Sequence, residues 1–458
     1  MKPIKLIITL LFCAFTTGVF SQPVDLNKEK YDTYRNNLKY FVVVGEGPKR
    51  SILAERRNDK GNCGPTCLTF GDGGIMQGWY VGMLATEYAR LKKESKPTQQ
   101  TLNELYCALL ALERLDAVAG AQNNYNNNYL PPCPYYTGVP DGISVRTDGW
   151  DDADCFNNTP FYDAINGGLQ NIYPSPSYNV QWSDIDNLER QFKDQSTNHD
   201  YFSIDQLTHV MMGLYLTYHY VDDGTHSVTC GSGNAQVNFE KYAANMMVRY
   251  IDKLHQWGYI LHKPDGSPIS ATNGGWAQNF AKPFIYLHNK VSLVLNHPPK
   301  TITPTVKSLW KQTWAVLSLN PKADLYHMQL ATATISDENF VYTPFTSTAD
   351  AIMSASEKYN WEYFYPLLHN NLYGSSPMSD EYYCKVQNEL DKAPPSNPEN
   401  NGINPNDGPE GWRCHLKFTK TIEEQDSGYH TDNHGDKYLS FTAKFSGIDY
   451  MLQYNLYQ

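Results

Sequence analysis

Residues 72–93, DGGIMQGWYVGMLATEYARLKK, and their later counterpart, residues 203–221, SIDQLTHVMMGLYLTYHYV, decide the fold of this chain. In each stretch a carboxylate lies near the start, and apolar residues then recur close to the helical period. A carboxylate-rich loop, RTDGWDDAD at residues 146–154, lies between them in the sequence. We therefore predict two long packed helices with a pocket at their ends.

Helical periodicity continues on both sides of these stretches. A helix beginning at Thr98 pairs with the first stretch, and residues 235–257 pair with the second across a glycine-rich loop that holds Cys230. Further helical patterns cover residues 22–40, 184–193, 275–295, 304–319, 325–334, 359–370, 377–390 and the amphipathic end of 438–457.

The order of these helices predicts an all-α fold. Short turns alternate with long loops, such as residues 116–141 and 396–411, and there is little strand pattern. Helical hairpins that close into an (α/α)6 toroid fit this order better than a bundle, and the lack of a fixed repeat length argues against a regular solenoid. We expect one toroid domain over residues 22–458.

The first 21 residues predict a signal peptide. Lys2 and Lys5 precede an apolar run at residues 6–15, and residues 19–21 provide a cleavage site before Gln22. That run is too short to span a bilayer, and the rest of the sequence contains no run of transmembrane length. We expect a secreted or periplasmic protein without membrane insertion after cleavage.

The charge and the motifs of the sequence argue against several classes of partner and enzyme. The net charge is −11 and no basic stripe is present, so nucleic acid is not an expected partner. The sequence contains no serine-nucleophile elbow, phosphate-binding glycine loop or HExxH zinc-protease motif.

Cysteine usage fits an exported protein. Of nine cysteines, Cys13 lies in the signal peptide, which leaves an even number for disulfides. Cys63 with Cys67, and Cys384 with Cys414, are plausible pairs. The pairing of the other four is open: Cys107, Cys133, Cys155 and Cys230. The spacing of residues 63–67, CGPTC, favours a structural role over a redox or zinc motif.

Three stretches, in this order, resemble the six-hairpin (α/α)6-barrel glycosidase-like superfamily, and within it the unsaturated glucuronyl hydrolases. They are GWYVG at 78–82, DGW at 148–150 and IDQ at 204–206, and GWAQ at 275–278 resembles a later segment of that family. The resemblance implies that two aspartates act on unsaturated uronic acids released by polysaccharide lyases. The stretches at 78–88 and 447–457 also resemble exported bacterial proteins of unassigned function.

Asp148 and Asp205 are the predicted catalytic acid and base, because glycoside cleavage uses two carboxyl groups that flank the bond. Gln206 and His209 lie on the same helical stretch as Asp205, and His209 lies one turn after it. Two alternatives stay open. Ser203 and Gln206 also fit a capping box, with Asp205 complementing the helix dipole. His209 also fits a buried structural histidine.

Aromatic and basic side chains near these aspartates predict a sugar-binding surface. Trp79, Trp150 and Trp276 lie beside the candidate stretches, and flat rings with a polar edge suit sugar faces. Arg146 lies two residues before Asp148 and is placed to receive the carboxylate or sulfate of an acidic sugar.

We predict no cofactor and no metal. Four aspartates within residues 148–154 offer oxygen ligands for Ca²⁺, but a solvated acidic loop accounts for them as well. Asp432, His434 and Asp436 offer a second set of ligands, for which a polar turn is the alternative. Asp72 before two glycines is an alternative second carboxylate or an N-cap.

The sequence therefore predicts an exported glycoside hydrolase that acts on unsaturated or acidic oligosaccharides. One alternative is a polysaccharide lyase on a similar helical ring, for which Tyr201, His209 and Asn279 are candidate residues. Another is a non-catalytic carbohydrate-binding or surface protein, in which the aspartates are only helix caps.

Overall fold

A computed structural model describes residues 25–38, 42–44, 52–54, 56–58, 67–69, 73–122, 141–142, 202–230, 233–263, 266–270, 275, 277–319, 323–336, 347–358, 364–374, 379–393, 399–401, 442–444 and 446–458. This part of the chain is mostly helical, as predicted. Its α-helices are α1 (Leu26–Asn37), α2 (Gly73–Lys93), α3 (Gln99–Gln122), α4 (Ile204–Tyr220), α5 (Phe239–Gln256), α6 (Ala281–Val291), α7 (Pro304–Leu319), α8 (Ala323–Ser336), α9 (Thr348–Lys358), α10 (Phe364–Tyr373), α11 (Asp380–Lys392) and α12 (Ile448–Tyr457). None of the helices in these ranges is long and apolar enough to cross a membrane.

Helices α2 and α4 pack more closely than any side chain at the crossing would permit. A Cβ atom on Gly78 would lie 2.2 Å from the carbonyl oxygen of His209, and one on Gly213 would lie 2.2 Å from the carbonyl oxygen of Gly78. Real Cβ atoms do not approach backbone this closely, so these positions require glycine.

The same crossing sets the relative direction of α2 and α4. A Cβ atom on Gly74 would lie 2.9 Å from Cε1 of Phe202, and one on Gly82 would lie 2.8 Å from Cδ1 of Leu216. Residue numbers rise together on both helices, so α2 and α4 run parallel and their N-terminal ends lie side by side. The long helices predicted for both stretches are confirmed.

Contacts among the described helices run from α2 to α4, α4 to α8, α8 to α10, α10 to α12, and α12 back to α2. Near their N-terminal ends, α2 and α10 touch through Trp79 and Phe364, whose ring centroids lie 4.7 Å apart. At the C-terminal ends, the Tyr373 hydroxyl lies 3.2 Å from the Tyr215 hydroxyl and donates to the carbonyl oxygen of Ile335 at 2.7 Å. Helices α4, α8 and α10 therefore end at the same level. Each of α2, α4 and α8 also packs against the helix that follows it in the chain. These pairs are α2 with α3, α4 with α5, and α8 with α9.

A buried ionic cluster joins α1, α2 and α3. The Arg35 guanidinium donates to Glu87 at 2.8 and 3.1 Å and to Glu104 at 2.7 and 3.1 Å. The hydroxyls of Tyr31 and Tyr80 donate to Glu87 and Glu104, respectively. All of these side chains are at most 7% exposed, so the cluster is part of the core.

The loop predicted around Cys230 is instead a β-hairpin. Strands β5 (Thr225–Cys230) and β6 (Gly233–Asn238) pair antiparallel, with Thr225 opposite Asn238. Val228 and Cys230 alternate inward, which is the pattern of a half-buried strand. A disulfide joins Cys230 to Cys107 on α3, with the Cα atoms 5.4 Å apart, so one of the open cysteine pairings is now assigned.

The other strands are short. Strands β1 (Val42–Val44) and β2 (Ile52–Ala54) form one antiparallel pair. Strands β3 (Arg56–Asn58), β4 (Cys67–Thr69), β7 (Glu399–Asn401) and β8 (Thr442–Lys444) form a sheet in the order β4-β3-β8-β7. Strand β8 thus brings the end of the chain next to its beginning.

Several helical segments differ from the prediction. Residues 235–238, predicted as the start of α5, belong to β6 instead. Helix α3 continues through residues 116–122, where a loop was predicted, because Asp116 faces Arg249 on α5 instead of ending the helix. Helix α12 is not amphipathic, since residues 448–456 are all buried. The sequence prediction also missed α9, a helix of mainly small and polar residues.

Candidate functional site

The parallel crossing of α2 and α4 places the predicted site at their N-terminal ends. Asp205 lies in the first turn of α4 and is half-buried, while Gln206 and His209 are fully buried behind it. The N-terminal end of a helix carries a partial positive charge, which stabilises the ionised carboxylate of Asp205.

Ser203 is the N-cap of α4, but the predicted capping box is wrong. The Ser203 side chain makes no capping hydrogen bond to the helix backbone, and its hydroxyl donates to Oδ1 of Asp205 instead. This hydrogen bond holds the Asp205 carboxylate over the first turn. The Asp205 carboxylate therefore lies at the N-terminal end of α4, where the Ser203 hydroxyl is its hydrogen-bond donor.

His209 reaches Asp205 through the backbone and not through the carboxylate. Its Nδ1 lies 2.5 Å from the Asp205 carbonyl oxygen, which can only accept, so Nδ1 carries the proton in the neutral ring. The spacing therefore predicted the contact between the two residues correctly but not the atoms that make it. His209 is 0% exposed, which fits the alternative of a buried structural histidine.

Trp79 lies next to His209 and is also buried. Its ring lies 6.3 Å from the His209 ring, at 25°, and packs against Phe364 at the start of α10. At 4% exposed, Trp79 forms the wall behind the helix ends, so it cannot present an open face to a sugar. Phe364 was not predicted as a site residue.

Asn279, a candidate for the lyase alternative, lies in the short 3-10 helix Gln278–Phe280. The other predicted residues lie outside the described part of the chain. These are Asp148, Arg146, Trp150 and Trp276, together with the rest of the acidic loop, Tyr201, and the residues 432–436. Gly275, next to Trp276, is described: a Cβ atom there would lie 2.1 Å from the carbonyl oxygen of Ile269. That position therefore requires glycine for a packing reason.

Asp449 is a second carboxylate in the same type of position as Asp205. It lies in the first turn of α12, which packs on α2, and it is 4% exposed. The sequence analysis missed it, although a signal was present: residues 202–205 read FSID and residues 445–449 read FSGID. The extra glycine, Gly447, is the N-cap at φ 74°, where Tyr34 leaves no room for a Cβ atom.

An apolar crevice lies beside the start of α4. It is lined by Gly142, Phe202, Leu207, Tyr250, Leu254, Trp257, Leu261 and His262. The rings of Trp257 and His262 stack at 4.3 Å, and the Lys253 ammonium lies 4.8 Å from the Trp257 ring centroid. Trp257 was not among the predicted sugar-binding residues, because its helical spacing assigned it to the end of α5.

Asp116 holds one wall of this crevice in place. Its carboxylate accepts hydrogen bonds from the backbone N–H groups of Asp141 and Gly142 at 2.8 and 2.9 Å, and from Nε of Arg249 at 2.8 Å. Burial raises the pKa of Asp116 to about 6, although Arg249 and the two backbone donors act in the opposite direction. Asp116 therefore positions Gly142 and does not face the crevice itself.

Metal ligands do not gather at this end of α2 and α4 among the described residues. In the described ranges, one group of metal-ligating side chains is close enough to share an ion. It consists of Asp252 on α5, His288 on α6 and His297 in the segment after α6.

No protein-family model matches the chain, and no significant match was found among curated proteins or solved structures.

Proposed function

We propose that this chain is an (α/α)6-type toroid of helical hairpins that acts as a glycoside hydrolase on unsaturated or acidic oligosaccharides. The run of contacts from α2 through α4, α8, α10 and α12 back to α2 closes a circuit of five described helices, which supports a helical ring. In such a ring the N-terminal ends of the inner helices surround one opening, where loops and ligands meet.

The observation that carries the proposal is the position of Asp205. It is a half-buried carboxylate at the N-terminal end of α4, hydrogen-bonded by Ser203 and not used as a helix cap. A partly exposed carboxylate that makes no capping hydrogen bond is available for chemistry, and its neighbours Phe202 and Leu207 line the crevice beside it. The ring of Trp257 in the crevice adds an apolar surface of the kind that packs on sugars. The Lys253 ammonium lies over that ring and pairs with Asp141.

Asp205 would serve as the acid and base. In hydration of an unsaturated uronic acid, its protonated carboxyl gives a proton to one carbon of the C=C bond. The resulting carboxylate then takes a proton from the water that adds to the other carbon. The second carboxyl group in this proposal is Asp148, and Asp449 is a further candidate at the same end. His209 would act as a positioning residue, because its Nδ1–H holds the Asp205 carbonyl.

The disulfide between Cys107 and Cys230 supports the proposed export. Disulfides persist in oxidising compartments and are rare in the cytosol. This bridge joins segments 123 residues apart in sequence.

Turnover by the mature protein on a panel of saturated and unsaturated acidic oligosaccharides tests the proposal. The ultraviolet absorbance of the unsaturated ring reports the reaction. A hydrolase of the proposed type removes that absorbance, and a lyase creates it. No change on any substrate, with sugar binding detected by calorimetry, would replace the proposal with a carbohydrate-binding protein.

A further inference from the structure

Three metal-ligating side chains converge at the surface between α5, α6 and the segment that follows α6. Asp252 lies on α5, His288 on α6, and His297 after the left-handed residue Asn296. Asp252 Oδ1 lies 3.2 Å from His288 Nε2, and Asp252 Oδ2 lies 3.2 Å from His297 Nε2. One ligand atom from each of the three side chains lies within 4.8 Å of the others.

The two 3.2 Å separations are close to those of atoms that share a metal ion. In tetrahedral zinc sites the bonds to nitrogen and oxygen are about 2.0–2.2 Å, so the ligand atoms lie about 3.3–3.6 Å apart. His288 is 0% exposed, while Asp252 and His297 are 36% and 35% exposed. The cluster therefore has a rigid inner ligand and an open outer side, where a water molecule would complete the coordination.

The orientation of His288 is determined by its neighbour. The Asn289 amide is held by Lys300, whose backbone N–H donates to Oδ1 at 2.7 Å and whose carbonyl accepts from Nδ2 at 2.9 Å. Asn289 Oδ1 therefore faces His288 Nδ1, at 3.2 Å. With its proton on Nδ1, a neutral His288 donates to this oxygen and leaves the lone pair of Nε2 facing Asp252.

A lone pair and a carboxylate oxygen that face each other at 3.2 Å need a positive charge between or beside them. In this structure the Lys300 ammonium supplies one, 2.7 Å from Asp252 Oδ1. Lys300 is 14% exposed, and a bound metal would displace its flexible ammonium from that oxygen. Lys300 is thus the expected competitor of the metal.

We propose that Asp252, His288 and His297 form a binding site for a divalent transition-metal ion of the Zn²⁺ class. Two imidazoles and one carboxylate are donors that suit Zn²⁺ and related ions, whereas Mg²⁺ and Ca²⁺ prefer oxygen ligands alone. Asn289 provides the hydrogen bond that orients a metal-bound histidine from its other nitrogen. The site is independent of the proposed sugar chemistry.

Calorimetric titration of the chelator-treated full chain with ZnCl₂ tests this site. Wild type should bind Zn²⁺, and Asp252→Asn and His297→Ala should each weaken the tightest binding by more than 10-fold. Both altered residues are partly exposed, so the variants should fold. Asn289→Ala should weaken binding about 10–100-fold, as expected for an orienting partner. Lys300→Met should strengthen it several-fold, because the competing ammonium is removed.

His262→Gln is the matched control, because His262 lies just beyond the same helix and bonds the Gly266 carbonyl, outside the cluster. Its affinity for Zn²⁺ should equal that of wild type. Zn²⁺ should also raise the melting temperature of wild type but not of His297→Ala. Absence of Zn²⁺ binding by wild type, or equal affinity in Asp252→Asn and His297→Ala, would overturn the proposal.

Discussion

Gly78 of α2 lies directly against the backbone of His209 on α4, so that a Cβ atom at position 78 would be 2.2 Å from the His209 carbonyl oxygen. This contact sets the distance between the two helices. It also sets the position of the helix ends, where Asp205 and Trp79 lie. The geometry of the candidate site therefore depends on a residue that carries no side chain.

Gly78→Ala should destabilise the protein by about 1–3 kcal/mol, because the added methyl group forces α2 and α4 apart. A loss of stability would distinguish this close crossing from an ordinary helical position, where the same substitution has the opposite effect. Glycine-to-alanine substitution inside a helix otherwise stabilises it by about 0.5–1 kcal/mol. Urea unfolding monitored by circular dichroism measures the difference.

Gly224→Ala is the control for that substitution. Gly224 lies just after α4, and a Cβ atom there would meet no heavy atom within 4 Å. Its free energy of unfolding should stay within about 0.5 kcal/mol of wild type. A Gly78→Ala variant as stable as this control would contradict the close crossing.

Arg35→Met should cost about 3–5 kcal/mol of stability, because it leaves the buried carboxylates of Glu87 and Glu104 without their shared cation. Lys28→Met is the control on the same helix. Lys28 pairs with Asp32 at the surface, and exposed pairs contribute about 0–1 kcal/mol. Equal losses in the two variants would mean that the buried cluster contributes no more than a surface pair.

Stability should fall in acid because of Glu87. Burial acts to raise its pKa, but Arg35, aided by hydrogen bonds from Tyr31 and Thr101, lowers it from 4.5 to about 2. A depressed pKa means that the stabilisation is complete above pH 4.5 and is lost as the pH falls through about 2. Unfolding free energies measured between pH 7 and pH 2 should fall less steeply for Glu87→Gln. An identical slope in that variant would assign the acid sensitivity to other groups.

Replacing Cys107 and Cys230 together by serine should destabilise the protein by about 2–5 kcal/mol, since the bridge closes a long loop in the unfolded chain. Reducing agent should lower the melting temperature of wild type by more than that of the double variant. Cys384→Ser is the control, because Cys384 is an exposed free cysteine, contrary to its predicted pairing with Cys414. A wild-type melt insensitive to reduction under unfolding conditions would show that this bridge contributes little.

Local periodicity was enough to predict most of the helices. Helix α7 begins and ends at the predicted residues, 304 and 319. Helix α9 was missed because most of its residues are small or polar, so that its buried side is formed by few large apolar side chains, such as Ile352. The β5–β6 hairpin was missed because the glycines at its turn outweighed the alternating pattern before it.

Contacts between distant residues could not be predicted in the same way. Arg35 meets Glu87 and Glu104 across 52 and 69 residues, and no local pattern encodes that pairing. The spacing of Asp205 and His209 predicted that they would touch. It could not indicate that the histidine would bond the backbone carbonyl and leave the carboxylate to Ser203.

The most direct test of the proposed catalytic role of Asp205 is to measure kcat on an unsaturated uronic acid oligosaccharide. The measurement compares Asp205→Asn with Asp223→Asn. Asp223 is an exposed carboxylate beyond the opposite end of α4, so its variant controls for the loss of one charge. We expect Asp205→Asn to fold and still bind the sugar, but to lose about 100–10,000-fold in kcat. Asp223→Asn should keep the wild-type kcat. Equal kcat in both variants, or no turnover by wild type, would contradict the proposed role of Asp205.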